Sequence, residues 1–114
     1  MTVTSDLHIL LHRLVQEIDE TEQEAAEGLS LIRPMLFDFP NNAILIELFV
    51  TLNNTLSAIE IYKKLCQSMA DRASSLDLPL KVAQEVGRDL MKLLDCVLEA
   101  KRWVSRVVTP LENF

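Results

Sequence analysis

The sequence predicts an all-α protein, an antiparallel up-down bundle of three long helices. Two long stretches carry apolar residues at alternating steps of four and three, which places those residues on one face of a helix. Only two glycines and four prolines occur in 114 residues, so regular structure is seldom interrupted. Aromatic residues make up 5 % of the chain, which leaves aliphatic side chains to build the core. This length and composition predict one domain over residues 1–114.

The first helix is predicted over about residues 5–33. Its apolar stripe comprises Leu7, Leu11, Leu14, Ile18, Thr21, Ala25, Gly28 and Ile32. Pro34 has no amide hydrogen, so the helix is expected to end or kink near Arg33. Residues 34–39 then form a short extra helical turn or an apolar connector, in which Phe37 and Phe39 cover one end of the core.

The second helix is predicted over about residues 42–72, with Asn41 or Asn42 as its cap. Its first half is apolar on two faces, which a one-sided surface helix does not explain. The third helix is predicted over about residues 79–108, with Pro79 in its first turn and Pro110 after its end. Its stripe comprises Ala83, Val86, Leu90, Leu93, Val97, Ala100, Val104, Val107 and Leu111.

Three such helices make a thin bundle with little core for its surface, and this shape predicts a homodimer. The apolar residues on both faces of the first half of the second helix must be buried from water, and so must Leu94 and Leu98, which lie beside the apolar stripe of the third helix. The alternative is a monomer whose helices bury these faces against one another. The predicted interface consists of Ile44, Leu48, Phe49, Trp103, Glu20, Glu24 and Glu27.

Charge bears on the choice of partner. The net charge of −6 and the pI of about 4.8 disfavour binding to nucleic acid or to an anionic membrane. Six acids lie between residues 17 and 27, and they form either a solvated face or a docking surface for a basic partner. The basic residues near Trp103 are expected to contact this acidic belt at Glu24 and Glu27. If the chain reverses near residue 40 and near residues 76–77, Lys101 and Arg102 lie level with Gly28, which is close to both acids.

No membrane span is predicted. The most apolar stretch, residues 43–59, has 17 residues and includes Asn53 and Asn54, whereas a spanning helix needs about 20 mostly apolar residues. The first residues have neither a basic nor an apolar segment typical of a signal peptide. A cytoplasmic location is therefore expected.

Two histidines raise the question of a metal site. His8 and His12 are four residues apart, a spacing that places both on one helix face. If the chain reverses near residue 40 and near residues 76–77, Asp71 and Glu85 become neighbours of these histidines. Two histidines at the solvent edge are the simpler interpretation, so no metal or other cofactor is predicted.

The remaining reactive groups predict no chemistry. The same register places Cys66 level with Gly87, about nine residues from Cys96, which is too far for a disulfide. No nucleophile motif or phosphate-binding glycine loop occurs, so no catalytic residue is assigned. Gly28 and Gly87 lie inside predicted helices, where each is expected either to allow a close crossing of two helices or to weaken its helix locally.

These observations predict a non-enzymatic helical interaction, assembly or regulatory protein that acts through packing of its helix faces. Its expected partner is a second copy of itself, or another protein. The alternative is a bundle that binds a small ligand or a metal. That alternative predicts either a polar cluster around His8 and His12 or a cavity in the apolar half of the second helix.

Overall fold

The computed structural model describes residues 3–74 and 78–113, and it consists of three long helices packed against one another. They are α1 (Val3–Asp38), α2 (Ala43–Ala73) and α3 (Leu80–Glu112). The predicted three-helix bundle is confirmed. The bundle measures 58 × 21 × 16 Å, and its radius of gyration of 17.5 Å exceeds the roughly 13 Å expected of a compact chain of this length.

The α1 stripe is buried as the spacing predicts, at all eight positions. Its one polar member is Thr21, whose hydroxyl donates a hydrogen bond of 2.7 Å to the backbone carbonyl of Glu17. This bond lets a hydroxyl sit in an apolar core, because a buried polar group costs little once it is hydrogen-bonded.

Pro34 and Pro110 both lie inside helices, so the predicted helix bounds at Arg33 and at residue 108 are wrong, and of the two outcomes expected at Pro34 the end of the helix is excluded. Residues 34–38 continue α1 instead of forming a separate turn, and α3 passes Pro110 to reach Glu112. Pro34 and Pro110 are both exposed, as are Ser30 and Arg106, the residues four positions earlier. Water can therefore satisfy the carbonyl groups that lose their amide partner, which lowers the cost of each proline.

The connection between α1 and α2 is tight and exposed. The side chain of Asn42 caps α2 by accepting a hydrogen bond of 3.1 Å from the amide of Leu45, which confirms one of the two predicted caps. Phe37 and Phe39 do not cover the core, since Phe37 is 87 % exposed and Phe39 is also exposed. Phe37 lies on the continuation of α1 past Pro34, and Phe39 follows the end of that helix.

The core divides into two clusters along the bundle. In the first cluster, α1 residues between Leu7 and Ile18 pack against residues of α2 and α3. In the second cluster, α1 residues between Ala25 and Ile32 pack against other residues of the same two helices. The heptad spacing predicted that Val107 is buried, but Val107 is half-buried and its neighbour Val108 is fully buried. The buried face moves by one residue because a helix repeats every 3.6 residues rather than every 3.5. Leu94 is buried and Leu98 packs against the first cluster, so α3 needs no outside cover there.

The register between α1 and α3 differs from the predicted one by about two turns. Gly28 lies against Val108, whereas a symmetric hairpin placed it level with Lys101 and Arg102. The shift of seven residues corresponds to about 10 Å along the bundle at 1.5 Å per residue. The reversal assumed near residues 76–77 falls on a part of the chain outside the described residues.

Candidate interaction surfaces

The acidic belt of α1 is used mostly inside the molecule. Lys101 on α3 binds Glu17 at 2.8 Å and Glu20 at 2.6 Å. Lys63 on α2 binds Glu22, and the hydroxyl of Ser105 donates to Glu24 at 3.1 Å. The predicted contact of Lys101 with this belt is therefore correct in kind, but it falls on Glu17 and Glu20 rather than on Glu24 and Glu27.

The ion pairs shift the pKa values of their partners. Hydrogen bonds to Glu17 and then to Glu20 raise the pKa of Lys101, and the same lysine lowers the pKa of Glu20. A hydrogen bond to Glu22 raises the pKa of Lys63. Each shift favours the charged form, so these contacts tie α1 to both other helices at neutral pH. Of the three acids predicted at an interface, Glu27 is exposed, whereas Glu20 and Glu24 already have partners within the chain.

The four apolar residues predicted at the interface do not form one patch. Ile44 is 70 % exposed at the start of α2, and Leu48 follows one turn later, half-buried. Phe49 and Trp103 are half-buried and pack against the second core cluster. Trp103 also edges a shallow recess between α2 and α3. Only Ile44 and Leu48 are brought together at a site.

That site is an apolar cleft at the end of the bundle where α1 passes to α2. It is open to solvent, and its volume is about 700 Å³. Its walls come from the end of α1, the start of α2 and the end of α3, and include Pro34, Met35, Phe39, Ile44, Leu48 and Val107. Asp38 and Arg106 are the charged groups among its lining residues. The volume falls within the range of about 300–1,000 Å³ typical of small-molecule sites.

A second apolar surface follows the side of α2 that faces away from the core. We call it the outer stripe; it consists of Ile46, Val50, Asn54, Ser57, Ile61 and Leu65, all exposed. The two apolar faces predicted for the first half of α2 account for Ile46 and Val50, but the continuation of the stripe to Ile61 and Leu65 was not predicted. The predicted interface residues Ile44, Leu48 and Phe49 lie on other faces of α2, because periodicity alone does not tell which apolar face of a helix meets the core. The stripe could have been found in the sequence, because its residues are separated by four, four, three, four and four positions and none of them is charged.

The candidate metal ligands are not brought together. His8 and His12 are exposed at a groove between α1 and α2, which they share with Cys66 and Gln67. Asp71 accepts a hydrogen bond of 3.1 Å from Gln67, and Glu85 is exposed on α3. Over residues 3–74 and 78–113, no group of three histidine, cysteine or acidic side chains is arranged to hold a metal ion.

Both cysteines are free, as predicted, although the reason differs. Arg72 of α2 pairs with Asp89 of α3 at 3.9 Å, and this alignment brings Cys66 closer to the level of Cys96 than the predicted nine residues. The two cysteines nevertheless lie in different surroundings. Cys66 is buried in the first core cluster and Cys96 is exposed. Burial raises the pKa of the Cys66 thiol.

The glycines differ in their surroundings. A Cβ atom at Gly28 would stand 2.6 Å from Cγ2 of Val108 and 3.1 Å from Cδ1 of Leu52, so all three helices approach closely there. A Cβ atom at Gly87 would meet Cδ2 of Leu7 at 3.6 Å, an ordinary contact. The expected close crossing is thus found at Gly28.

By length and composition, α2 is the one helix within the described residues that is long and apolar enough to cross a membrane. Little of its most apolar window is buried in the bundle. Mostly buried core helices of soluble proteins and signal sequences also pass this test of length and composition.

The comparisons with known proteins add no function. No protein family, curated protein or solved structure matches the chain.

Proposed function

We propose that the protein is a non-enzymatic helical assembly protein that acts by packing an exposed helix face against a second copy of itself or against another protein. The observation that carries this proposal is the outer stripe of α2. Apolar side chains scattered singly on a surface are ordinary, whereas a row of them along one helix marks an interaction site. The stripe holds four large aliphatic residues on a single face of α2.

The surface area of the chain supports the proposal. The chain exposes 7444 Å², whereas a monomeric protein of 13.0 kDa exposes roughly 6,300 Å². The excess of roughly 1,100 Å² is comparable to the roughly 800 Å² that each partner contributes to an interface of standard size. Association along the bundle would bring the area per chain back to the usual value.

The proposal is tested by native mass spectrometry of freshly purified, untagged protein, with and without a chelator. A dimer of two 13.0 kDa chains without added mass is the expected result. A monomer that carries a small molecule would contradict the proposal and favour the second candidate function, and a monomer that carries a metal ion would contradict the proposal without favouring that candidate.

That second candidate is binding of a small apolar ligand, and the cleft beside Ile44 and Leu48 favours it. The cleft lies in the apolar first half of α2, where a ligand-binding bundle was expected to have a cavity. Its lining supplies apolar contacts together with one carboxylate and one guanidinium group. An elongated apolar ligand with a single polar end matches this chemistry.

A further inference from the structure

The outer stripe has a symmetry that points to its occupant. Its six residues are arranged evenly about the point midway between Thr55 and Leu56. Val50 and Ile61 are equally far from this point, as are Ile46 and Leu65, and so are Asn54 and Ser57. The spacing therefore reads the same in both directions along α2.

A surface that is symmetric in this way fits an inverted copy of itself. In an isologous dimer, residue i contacts residue j of the second copy, and j contacts i in return. Two antiparallel α2 helices that cross at the midpoint would place Val50 level with Ile61 of the second copy. Asn54 would lie level with Ser57 of the second copy, so two polar residues able to hydrogen-bond would meet at the crossing point.

We infer that the outer stripe binds a second copy of this chain, with the two α2 helices antiparallel and the two-fold axis passing between Thr55 and Leu56. The inference rests on the proposed function, and it specifies the partner and the geometry. It replaces the predicted interface, which combined Ile44, Leu48 and Phe49 of α2 with Trp103 of α3, by a different face of α2.

The charges that flank the stripe favour the antiparallel arrangement. Glu47 and Lys64 are exposed beside the stripe and are also equally far from its midpoint. An antiparallel pair sets each Glu47 level with Lys64 of the second copy, on the opposite edge of the stripe, so opposite charges share a level without direct contact. A parallel pair would instead set each of these residues level with its own copy, so like charges would share a level, which is less favourable.

The stripe covers more than half of the length of α2. Its 31 residues span about 46 Å at 1.5 Å per residue. The stripe from Ile46 to Leu65 accounts for about 28 Å of this length, centred on the axis. Val50 and Ile61 are 49 % and 58 % exposed, so each retains apolar surface that a second copy would bury.

A lipid surface is the competing occupant, because α2 is apolar enough to span a membrane. The stripe itself argues against lipid, since its centre is formed by the polar residues Asn54 and Ser57. Charged residues flank it within one turn of Ile46 and Leu65, and the net charge of −6 disfavours anionic headgroups. A protein surface that returns hydrogen bonds is the better match.

The test introduces opposite charges at Val50 and Ile61 in the full-length chain. Sedimentation velocity over a range of concentrations measures the dimer dissociation constant of each variant. V50E and I61K each place one charge against an apolar residue of the second copy. Each single change is expected to raise the dimer dissociation constant about tenfold or more. The double variant V50E/I61K places opposite charges against each other in the antiparallel pair and is expected to dimerise more tightly than either single variant.

The matched control is I9E, since Ile9 is exposed to a similar extent, 60 %, on a different helix. It is expected to dimerise like the wild-type chain. Far-UV circular dichroism confirms that each variant remains helical. If neither V50E nor I61K weakens a wild-type dimer, or if the double variant is no tighter than the singles, the inferred geometry is overturned.

Cross-linking supplies a second measurement of the geometry. V50C and I61C are prepared separately in a C96S background, in which the remaining Cys66 is buried. A short bis-maleimide is expected to join the two variants when they are mixed and to join neither variant to itself. Dimers formed by V50C alone would indicate a parallel pair and would overturn the inference.

The outcomes separate this inference from the proposed function. A wild-type chain that stays monomeric at every concentration overturns both self-association and the inferred geometry. A wild-type dimer that resists both single substitutions overturns the geometry alone. Wild-type chain that cosediments with phosphatidylcholine vesicles, when V50E does not, assigns the stripe to lipid and overturns the inference.

Discussion

Gly28 of α1 packs directly against Val108 of α3, and this contact fixes how closely the helices approach at the second core cluster. A Cβ atom at Gly28 would lie 2.6 Å from Cγ2 of Val108, a distance that real Cβ atoms do not tolerate without movement of the neighbour. Val108 is fully buried, so it has little room to move. The glycine is therefore required by packing, despite the cost of glycine within a helix.

Gly28→Ala is expected to destabilise the protein, and Gly87→Ala to stabilise it. Alanine favours the helix by about 1 kcal/mol at either position. Overpacking costs about 1–3 kcal/mol, and it applies only at Gly28 because the neighbour of Gly87 lies 3.6 Å away. Thermal unfolding followed by circular dichroism compares the two. An equal rise in midpoint for both variants would contradict the close crossing at Val108.

Lys101→Met is expected to lower stability most near neutral pH. The pKa of Glu20 is lowered by Lys101, so its contribution is present above its ordinary pKa and is lost as pH falls through the lower folded value. The pKa of Lys101 is raised, so its contribution is present below its ordinary pKa and is lost as pH rises through the higher folded value. Urea unfolding across pH measures the difference between wild type and variant.

The control for this prediction is Lys92→Met, which removes the same charge from an exposed position on α3. Its stability difference from wild type is expected to vary less with pH. If both variants show the same dependence, the effect belongs to net charge rather than to the contacts of Lys101 with Glu17 and Glu20.

The two thiols are expected to react at very different rates with a disulfide reagent. Cys96 is exposed and should react at once, whereas Cys66 is buried and its raised pKa leaves little thiolate. Two thiols per chain should be counted after unfolding in urea. A count of zero in the unreduced, unfolded protein would indicate a disulfide and contradict the structure.

The apolar cleft is expected to bind a hydrophobic fluorescent probe, such as anilinonaphthalene sulfonate. Ile44→Glu places a charge in its lining and is expected to weaken probe binding by about tenfold, while Ile9→Glu leaves it unchanged. Fluorescence titration measures both. Equal binding by the two variants would place the probe elsewhere and remove the support for a ligand site.

Most of the fold could be predicted from the sequence, because burial in a helix follows from spacing. Every residue of the α1 stripe, from Leu7 to Ile32, is buried as predicted. The helix bounds at Arg33 and at residue 108 were predicted wrongly, since the local rule for proline does not include the water that satisfies an exposed carbonyl group; the kink that was the other outcome expected at Pro34 stays a prediction. The predicted alignment of α1 with α3 was wrong by about two turns, because it depends on how α3 is aligned with α2, which periodicity does not specify.

The interaction surfaces could be predicted only in part. The sequence showed that the first half of α2 has two apolar faces, but the choice between them depends on which face α1 and α3 occupy. Leu48 and Phe49 pack against the second core cluster, while Val50 remains exposed. The cleft beside Ile44 was also beyond reach, because residues of all three helices form it and their alignment depends on the register.

Sedimentation equilibrium of the untagged wild-type chain is the decisive test of self-association through the exposed face of α2. A mass of twice 13.0 kDa is expected at micromolar concentration, with a fall toward the single-chain mass for V50E but not for I9E. A wild-type mass of 13.0 kDa at every concentration would contradict self-association.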